Sequence, residues 1–467
     1  MDSETLDPSQ THDPNNQDCP ALVPGLVLAF AAGKPAQQTI ALPDEPLEMG
    51  RDHPAFAGHP DPRLSRRHFA VHFDGRHFKV ADLGSRNGTW TDGEALPPNT
   101  PREVTRVIRA GDSVFLVVRN IGPMKQFGVR ITDRRVEGPA LQAALMMVAQ
   151  AAQHGSTLHI TGESGAGKEG LARAFHAAGP VPNGPFIAVN CATIPESVAE
   201  RLLFGAKRGA YSGADADSDG HLQAAHGGTL FLDEVAELSL AVQAKLLRVL
   251  ETGEVLPLGA SKPRKIEFRF CSATHRDLRA QVVDQKLRED FFYRIAMPHV
   301  AAPPLRERPE EISWLLTAEL TRMAPELNPH FSLVETCMLR AWPGNVRELL
   351  AEVRTAAQLA LATDNKRVEA RHLRATAGSA FSAPKEETRP PLPPKMTTVA
   401  DDSSRLPSPS KAKLASVLKK CQGNVTAAAR QLGVHRTQLR RWLERYDVDV
   451  RAFMPPGRTA PQDDDAD

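Results

Sequence analysis

The chain has 467 residues and a formal net charge of +1, with 57 Lys and Arg against 56 Asp and Glu. This balance excludes a general attraction to nucleic acid, so any such attraction must be local, and the length predicts about three domains. The five cysteines are odd in number and never in CxxC spacing, which argues against a disulfide framework or a zinc site and favours a reducing cytoplasm.

Residues 1–21 are polar and predict a disordered tail. Five acidic residues and neither Lys nor Arg occur in the first twenty positions, so a signal peptide is not expected. The apolar run ALVPGLVLAFAAG that begins at Ala21 is too short to span a membrane. The tail repeats TxDP at Thr5 and Thr11. A phosphorylated threonine there could dock on the next domain, and the alternative is an acidic, solvated tail.

Residues 22–120 are expected to form an all-β sandwich. Short runs such as HFAVHF, HFKVADL and SVFLVV alternate apolar and polar residues, and Gly, Asp and Pro separate them. Three polar stretches stand in the predicted loops: Gly50-Arg51, Ser65-Arg66-Arg67-His68 and Gly84-Ser85-Arg86-Asn87-Gly88-Thr89.

These stretches, in this order and spacing, resemble the GR…SxxH…NGT pattern of the forkhead-associated (FHA) family. The resemblance implies recognition of a phosphothreonine protein, or of the chain's own phosphorylated tail, and a Ser/Thr kinase that writes the mark. The implied contacts are those of Arg51, Ser65 and Arg66 with phosphate, of Asn87 with the peptide backbone and of Arg86 with a neighbouring side chain. His68 and Gly88 would stabilise the loops. A phosphate-blind scaffold with solvated arginines and a plain Asn-Gly turn remains the alternative.

The next stretch carries two nucleotide motifs. The strand-like TLHI at 157–160 is followed by a glycine-rich turn and a helical pattern, which is the context of a P-loop. Its backbone N–H groups are expected to hold ATP phosphates, with Lys168 reaching the outer ones. A second strand, 229–232, ends in Asp233, expected to hold Mg²⁺ through water, and Glu234, expected to polarise the attacking water. The loop comprises Gly162, Glu163, Ser164, Gly165, Ala166, Gly167, Lys168 and Glu169, the last in place of the usual Ser or Thr.

With LREDFFYR (287–294), PPLRER (303–308) and WPGNVREL (342–349), residues 135–375 resemble the AAA+ domain of bacterial enhancer-binding proteins, the activators of sigma-54 RNA polymerase. The resemblance implies an α/β P-loop ATPase with a helical lid. It implies that Arg288 and Arg294 are arginine fingers, that Arg347 is sensor II and that Asn190 pairs with Glu234. Fingers that act on a neighbouring subunit require a ring, expected to be a hexamer.

The stretch Gly209-Ala210-Tyr211-Ser212-Gly213-Ala214 corresponds to the GAFTGA loop of that family, which contacts sigma-54 during the ATP cycle. The loop carries no acid, base or metal ligand, as expected of a mechanical output whose position follows the ATP state. Tyr and Ser replace the usual Phe and Thr, and His275 replaces the usual Asn of sensor I. Leu202, Ala206 and Lys207 replace Glu, His and Glu. We expect these departures to affect the coupling of ATP hydrolysis to movement of the loop more than they affect ATP binding.

Residues 376–408 are proline-rich and predict a flexible linker, followed by a basic block at 409–450 and an acidic tail at 451–467. Three helices are expected, at 411–420, 424–431 and 435–445, with Asn424 capping the second. GNVTAAARQLGVHRTQLRRWL resembles the Fis-type helix-turn-helix. The resemblance implies that the third helix enters the major groove of double-stranded DNA. The candidate DNA contacts are His435, Arg436, Thr437, Gln438, Arg440 and Arg441. A dimerising helical bundle is the alternative.

The sequence therefore predicts a cytoplasmic, ATP-dependent transcription activator of three domains. It would bind an upstream enhancer, remodel sigma-54 RNA polymerase holoenzyme to the open complex, and respond to phosphothreonine binding. Two alternatives stay open: an AAA+ remodeller of another DNA-bound protein, and a DNA-binding regulator whose ATPase coupling has decayed.

Overall fold

The computed structural model describes residues 22–132, 135–211, 215–380, 409–422, 424–432, 434 and 436–453. They belong to two compact units that divide between residues 383 and 384. The first unit contains a β-sandwich, an α/β domain and a helical lid, and the second contains three short helices. None of the helices in these ranges has both the length and the apolar character needed to cross a membrane.

Ten short strands build the sandwich, as the alternating sequence pattern predicts. They are β1 (Gly25–Ala31), β2 (Lys34–Ala41), β3 (Leu47–Met49), β4 (Phe69–Phe73), β5 (Phe78–Asp82), β6 (Thr89–Thr91), β7 (Glu94–Leu96), β8 (Arg102–Val104), β9 (Val107–Ala110) and β10 (Ser113–Val118). One sheet has the order β2-β1-β10-β9-β6-β7 and the other β3-β4-β5-β8. Between them Phe69 and Phe115 meet edge to face, with ring centroids 5.6 Å apart, a preferred aromatic geometry that fixes the two layers.

A short connection joins the sandwich to the α/β domain. It consists of α1 (Gly122–Phe127), the hairpin β11 (Arg130–Thr132) and β12 (Arg135–Glu137), and α2 (Pro139–His154). Helix α2 starts with Pro139 at its first position, where the fixed φ of proline suits a helix and its missing N–H is not needed.

The α/β domain is built on a parallel sheet. Its elements are β13 (Thr157–Thr161), α3 (Lys168–Ala177), β14 (Phe186–Asn190), α4 (Glu196–Phe204), α5 (His221–Ala224), β15 (Thr229–Asp233), α6 (Leu240–Thr252), β16 (Glu254–Val255), β17 (Arg264–Lys265), β18 (Arg269–Thr274), α7 (Leu278–Val283), α8 (Glu289–Ile295) and β19 (His299–Ala301). The sheet order is β14-β15-β18-β13-β19. Its strands are apolar because helices cover both faces, and the predicted P-loop and Asp233 lie together at the carboxyl ends of β13 and β15, where open α/β sheets bind ligands.

The lid follows as α9 (Ile312–Met323), β20 (Asn328–Pro329), α10 (Phe331–Leu339), α11 (Asn345–Ala362) and β21 (Arg367–Val368). Trp342 is fully buried between α10 and α11, and its Nε1 donates to the Cys337 carbonyl over 2.7 Å. This bond satisfies the indole N–H and fixes the turn that leads into α11.

The second unit contains α12 (Lys411–Lys420), α13 (Val425–Leu432) and α14 (Arg436–Arg445). The positions of the three helices confirm the prediction to within one residue at each end, and Asn424 Oδ1 accepts from Ala427 N over 3.1 Å, as expected of a cap. Leu439 and Leu443 are buried in a small core, whereas Arg440, Arg441 and Arg445 of the same helix are exposed.

Candidate nucleotide site and phosphate-recognition loops

The turn after β13 has the backbone geometry of a phosphate cradle. Gly162, Gly165 and Gly167 all have positive φ, a conformation that L side chains rarely adopt. A Cβ on Gly165 would stand 2.2 Å from the Gly344 carbonyl oxygen, so the lid packs directly on the loop. Helix α3 then begins at Lys168, and its free N–H groups point into the cradle.

Lys168 and Glu234 form the centre of the site. Lys168 Nζ donates to the Gly162 carbonyl over 3.0 Å and lies 3.4 Å from Glu234 Oε1, and its side chain is only 7% exposed. Glu169 points away, since it is exposed and pairs with Arg173 over 2.7 Å. A buried ammonium next to backbone carbonyls is placed to take an anionic ligand.

Glu234 is held from a second side by β18. Its Oε2 accepts from His275 Nδ1 over 2.8 Å and from the His275 backbone N–H over 3.3 Å. Burial alone would raise the pKa of Glu234, but the His275 hydrogen bond and the charge of Lys168 lower it overall. The carboxylate is therefore kept ionised, as a water-polarising group requires.

Asp233 and Asn190 lie at the ends of the neighbouring strands β15 and β14, where they are paired in register. Burial, together with the charge of Glu234, raises the pKa of Asp233 in spite of the opposing charge of Lys168. Asn190 was expected to pair with Glu234. In the structure its Oδ1 accepts instead from Ala192 N over 3.0 Å. The side chain that hydrogen-bonds to Glu234 there is that of His275.

Lid residues tie the P-loop in place. Asn345 Nδ2 donates to Glu163 Oε2 and to the Ser164 carbonyl, both over 3.0 Å. Arg306 pairs with Glu163 Oε1 over 2.6 Å. Arg347, the predicted sensor II residue, donates to Ser164 Oγ over 3.0 Å. The lid therefore contacts the loop that would hold the phosphates.

Asn345, Arg306 and Arg308 were not singled out from the sequence, although they stand in the WPGNVREL and PPLRER stretches. Arg308 is buried and donates to the Ala166 carbonyl over 2.9 Å. Asn345 has positive φ and accepts from Leu305 N over 2.7 Å. The signal available was the proximity of these residues to Arg347 and to the prolines before the lid.

The two predicted finger arginines lie at α8 and contact neither Lys168 nor Glu234. Arg288 precedes the helix and pairs with Asp290 over 2.6 Å. Arg294 donates to the Leu250 carbonyl over 2.5 Å. Both side chains are exposed, as is the intervening Tyr293 at 71%. This surface is open to a second chain.

The predicted output loop rises from a paired base. Ala206 and Ser218 exchange two backbone hydrogen bonds of 2.8 Å. Lys207 pairs with Asp217 above them. Tyr211 is exposed, and its hydroxyl accepts from Arg201 Nη1 over 3.0 Å while the guanidinium lies 5.2 Å from the ring centroid. Gly209 and Ala210 are described, whereas Ser212, Gly213 and Ala214 lie outside the described residues.

The sandwich loops bring the predicted phosphate-contacting residues together. Arg51 N donates to the Ser65 carbonyl over 2.9 Å, and Arg86 N donates to Ser65 Oγ over 3.1 Å. A Cβ on Gly50 would stand 1.9 Å from the Arg66 carbonyl oxygen, which explains the glycine before Arg51. The guanidinium groups of Arg51, Arg66 and Arg86 are exposed and take no partner within the ranges that the structure covers. Three exposed arginines on loops that meet at Ser65 suit a phosphate.

His68 fixes these loops from below. It is fully buried; its Nδ1 accepts from Ser65 N over 3.1 Å, and its Nε2 donates to the Gly88 carbonyl over 3.0 Å. Burial lowers the pKa of His68, so the ring stays neutral in this tautomer. Arg67, by contrast, is held by Glu48 in a bidentate pair, which leaves Arg66 as the arginine of that stretch available to a ligand.

Two loop contacts were missed from the sequence. Asp82 accepts from Ser85 Oγ and Thr89 Oγ1, both over 2.6 Å, and so shapes the 84–89 loop from within. Asn87 Nδ2 donates to the Arg63 carbonyl over 2.6 Å. Neither the acceptor carbonyl nor the strand-end aspartate has a sequence signature, because both depend on how the two sheets stack.

Of the candidate DNA contacts, Arg440 and Arg441 lie exposed on α14. Arg436, Thr437 and Gln438 belong to the helix, but their side chains lie outside the described part, and so does all of His435. The third helix therefore presents basic residues on a face away from its core.

Comparison with known proteins agrees with this arrangement. Four family descriptions match: "FHA domain" over residues 47–114, "Sigma-54 interaction domain" over 135–301, "AAA+ ATPase lid domain" over 306–390, and "Bacterial regulatory protein, Fis family" over 410–446.

Among similar curated proteins is the transcriptional regulatory protein GlrR of Escherichia coli K12, 36% identical over 321 residues, which cover 68% of each chain. The hydrogenase transcriptional regulatory protein HoxA of Bradyrhizobium diazoefficiens is 37% identical over 317 residues, 67% of this chain and 64% of that one. The chain spans about two thirds or less of several such relatives. The crystal structure of NtrX from Brucella abortus in complex with ATP is similar at a TM-score of 0.48 and 27% identity, over 68% of this chain and 70% of that one.

Proposed function

The chain belongs to the sigma-54-dependent transcriptional regulators, and from that premise we propose that it hydrolyses ATP in a ring to remodel sigma-54 RNA polymerase holoenzyme into the open complex. The observation that carries the proposal is the cluster of Lys168, Glu234 and His275 beneath a P-loop that the lid residues Asn345 and Arg347 hold. Residues 209–211, the described start of the output loop, belong to the same domain.

Each residue has a part in that reaction. The N–H groups at the start of α3 and Lys168 bind the phosphates, and Glu234 orients and polarises the attacking water. Asp233, a carboxylate beside the cradle, fits a Mg²⁺ ion, which would neutralise charge on the phosphates. Arg347 reports the state of the phosphates to the lid, because it already bonds Ser164 of the loop.

A ring, most simply a hexamer, completes the site. Arg288 pairs with Asp290, Arg294 donates to the Leu250 carbonyl, and both arginines are exposed. Guanidinium groups that stabilise a departing phosphate in trans must come from an adjacent subunit. The exposed Tyr293 between them supports a contact there.

The FHA domain would regulate the ATPase, and the helix-turn-helix would direct the protein to its DNA site. The open guanidinium groups of Arg51, Arg66 and Arg86 support phosphothreonine binding at the FHA domain, with a partner protein or the chain's own tail as ligand and a Ser/Thr kinase as its source. The basic helix α14 supports binding to double-stranded DNA upstream of the promoter. The protein would act in the cytoplasm, where polymerase and promoters are.

Promoter melting tests this proposal. Purified full-length chain, sigma-54 holoenzyme and ATP are expected to form an open complex on a sigma-54 promoter, detected by permanganate footprinting. Lys168→Ala should abolish melting, since the phosphates lose their buried cation, whereas the exposed Lys262→Ala should not change it. ATP turnover without melting would contradict the proposal and favour a remodeller of another DNA-bound protein.

A further inference from the structure

The FHA sandwich is docked on the lid through a face of its larger sheet. Strand β1 is buried along its whole length, whereas an antiparallel sheet with one solvated face alternates buried and exposed residues. Leu26 and Leu28 point into the sandwich core. Val27 and Ala29 point the other way and pack in one continuous core with the lid. Both faces of this sheet are therefore buried, one in the sandwich core and the other against the lid.

We call this outer surface of the six-stranded sheet the docking face. It consists of Val27, Ala29, Val107, Val114 and Leu116. Against it lie helices α9 and α10 of the lid, which contact β1, β2, β9 and β10. Their apolar contributions to the shared core are Leu316, Leu320, Val334 and Met338. Burial of apolar side chains on both partners drives the contact.

A buried ion pair lies inside this apolar contact. Arg109 of β9 donates through Nε to Glu335 Oε2 of α10 over 2.7 Å, and the two side chains are only 11% and 9% exposed. The guanidinium also stacks on Trp90, 3.5 Å from the ring centroid. Such a pair fixes register, but its desolvation makes the contact weaker than an apolar pair of the same size would. The contact between the sandwich and the lid therefore has a specific register, and the two domains can still separate.

One residue links the phosphate-recognition loops to this interface. Asn87, the residue expected to hold a bound peptide backbone, donates to the Arg63 carbonyl. The Arg63 guanidinium pairs with Asp112 over 3.1 Å and lies 5.9 Å from the ring centroid of Phe331. Phe331 is the first residue of α10, and Glu335 follows one turn later. A peptide that draws the Asn87 amide group toward itself competes with the Arg63 carbonyl for that side chain.

We propose that phosphothreonine binding at the FHA loops and docking of the FHA domain on the lid oppose each other. The inference rests on the proposed phosphothreonine function and adds the regulation of that site. A peptide that engages Asn87 loosens Arg63 and the start of α10, and the lid carries that change to Asn345 and Arg347 at the P-loop. By linkage, docking weakens peptide affinity by the same factor by which the peptide weakens docking.

Peptide affinity in variants remote from the phosphate loops tests the coupling. The probe is a fluorescent peptide pool with degenerate positions around a central phosphothreonine, titrated into the full-length chain. Glu335→Gln leaves the buried Arg109 guanidinium without an opposite charge and should tighten binding at least about fivefold. The double variant Arg109→Met/Glu335→Leu replaces the pair by apolar groups and should bind no tighter than the wild-type chain. Arg106→Ala, which removes only a bond to the Leu339 carbonyl, should tighten binding about two- to tenfold.

Hydrogen–deuterium exchange supplies the second readout. Saturating peptide pool should speed exchange in β9, β10 and α10 of the wild-type chain. Coupling is overturned if Glu335→Gln and Arg106→Ala loosen the docking face in this assay yet bind the pool within about twofold of wild type. It is equally overturned if the pool slows exchange there. Failure of the wild-type chain to prefer the phosphorylated over the unphosphorylated pool, or binding that survives Arg66→Ala, would instead refute phosphothreonine recognition itself.

Discussion

At the scale of single residues, the identity of position 275 changes how the Glu234 carboxylate is held. The sequence leads us to expect Asn190 on Glu234, and it marks His275 as a departure from the usual Asn of sensor I. In the structure Glu234 Oε2 instead accepts a hydrogen bond from His275 Nδ1, and Asn190 Oδ1 accepts one from Ala192 N. The motif residues were identifiable because each stands in a recognisable stretch. The sequence could not show which of the two side chains, Asn190 or His275, hydrogen-bonds to Glu234. That choice depends on the distances between strands β14, β15 and β18.

Replacing His275 by asparagine should raise ATP turnover. The imidazole holds Glu234 over 2.8 Å, and a hydrogen bond to a charged group contributes about 1.5–3 kcal/mol, so Glu234 must partly give up this bond to orient water. His275→Asn has a shorter reach and should raise kcat about three- to tenfold with KM for ATP unchanged. Steady-state kinetics above the assembly concentration measures both.

A matched change isolates this effect. His299→Asn alters another histidine at the sheet edge, bonded to Thr161, and should leave kcat within about twofold of wild type. A fall of kcat in His275→Asn would contradict the prediction, since it would mean that His275 helps Glu234 during turnover.

Glu310 gives the protein a dependence of stability on pH. Burial, with the neighbouring charge of Glu311, raises the pKa of Glu310 to about 7, although Arg308 opposes the shift. Because the folded state holds this proton more tightly than the unfolded chain, the stability it contributes is complete below about pH 4.5 and is lost as the pH rises to about 7. Glu310 as a whole residue is half-buried, so we expect a loss on the order of 1–2 kcal/mol.

Glu310→Gln should therefore raise the Tm of the first unit at pH 8 and leave it unchanged at pH 5, as measured by scanning calorimetry. Glu307→Gln, a change at an exposed carboxylate in the same segment, should have no such pH-dependent effect. Equal shifts at both pH values for Glu310→Gln would mean that packing, and not the proton, is responsible.

At the scale of elements, the output loop shows what the sequence predicts and what it leaves open. Its place between the two nucleotide motifs is evident from GAYSGA. The base of the loop is not evident from the sequence. It is formed by the pairing of Ala206 with Ser218, and the residues around these two positions show no strand pattern. The same holds for β16 and β17, two residues each, whereas helix α3 follows from the periodic apolar residues after the P-loop.

The hydroxyl of Tyr211 should restrain that loop. Arg201 donates to it and lies against its ring, and a single hydrogen bond contributes about 0.5–1.5 kcal/mol. Tyr211→Phe removes the hydroxyl and keeps the aromatic ring, so we expect sigma-54 binding in the presence of ADP and aluminium fluoride to tighten about two- to tenfold. Fluorescence anisotropy with labelled sigma-54 measures the affinity.

A double-mutant cycle separates restraint from contact. Arg201→Leu should produce a similar gain, and the double variant should gain no more than either single change. Additive effects, or weaker binding of Tyr211→Phe, would mean that the hydroxyl contacts sigma-54 itself.

At the scale of the whole molecule, the separate domains were predictable and their association within the first unit was not. Each domain has its own motif set, so the sandwich, the P-loop domain and the helix-turn-helix could be identified from local patterns. The all-apolar GLVLAFA of β1 did carry a signal, because a strand with one wet face should alternate. Nothing in that run identifies α9 and α10 as its cover, since apolar surfaces carry little information about their partner.

At this scale the proposed ring also makes a prediction about where catalysis takes place, because under that proposal each site combines residues of two chains. Lys168 and Glu234 are near each other, while Arg288 and Arg294 contact other neighbours. Lys168→Ala and Arg294→Ala should each abolish ATP turnover when assayed alone. In the first variant every pocket is defective and every finger intact, and in the second the reverse holds.

Mixing the two inactive variants in equal amounts should restore turnover. With random assembly, half of the pockets are intact and half of the neighbouring fingers are intact, so about a quarter of the interfaces combine both. We therefore expect ATP turnover of about a quarter of the wild-type rate per chain, measured after the variants are mixed below and concentrated above the assembly threshold. A mixture of Lys168→Ala with Glu234→Gln, both defective in the pocket, provides the control and should stay inactive. Since a finger that acted within its own chain could not be rescued, absence of recovery in the first mixture would contradict a site shared between subunits.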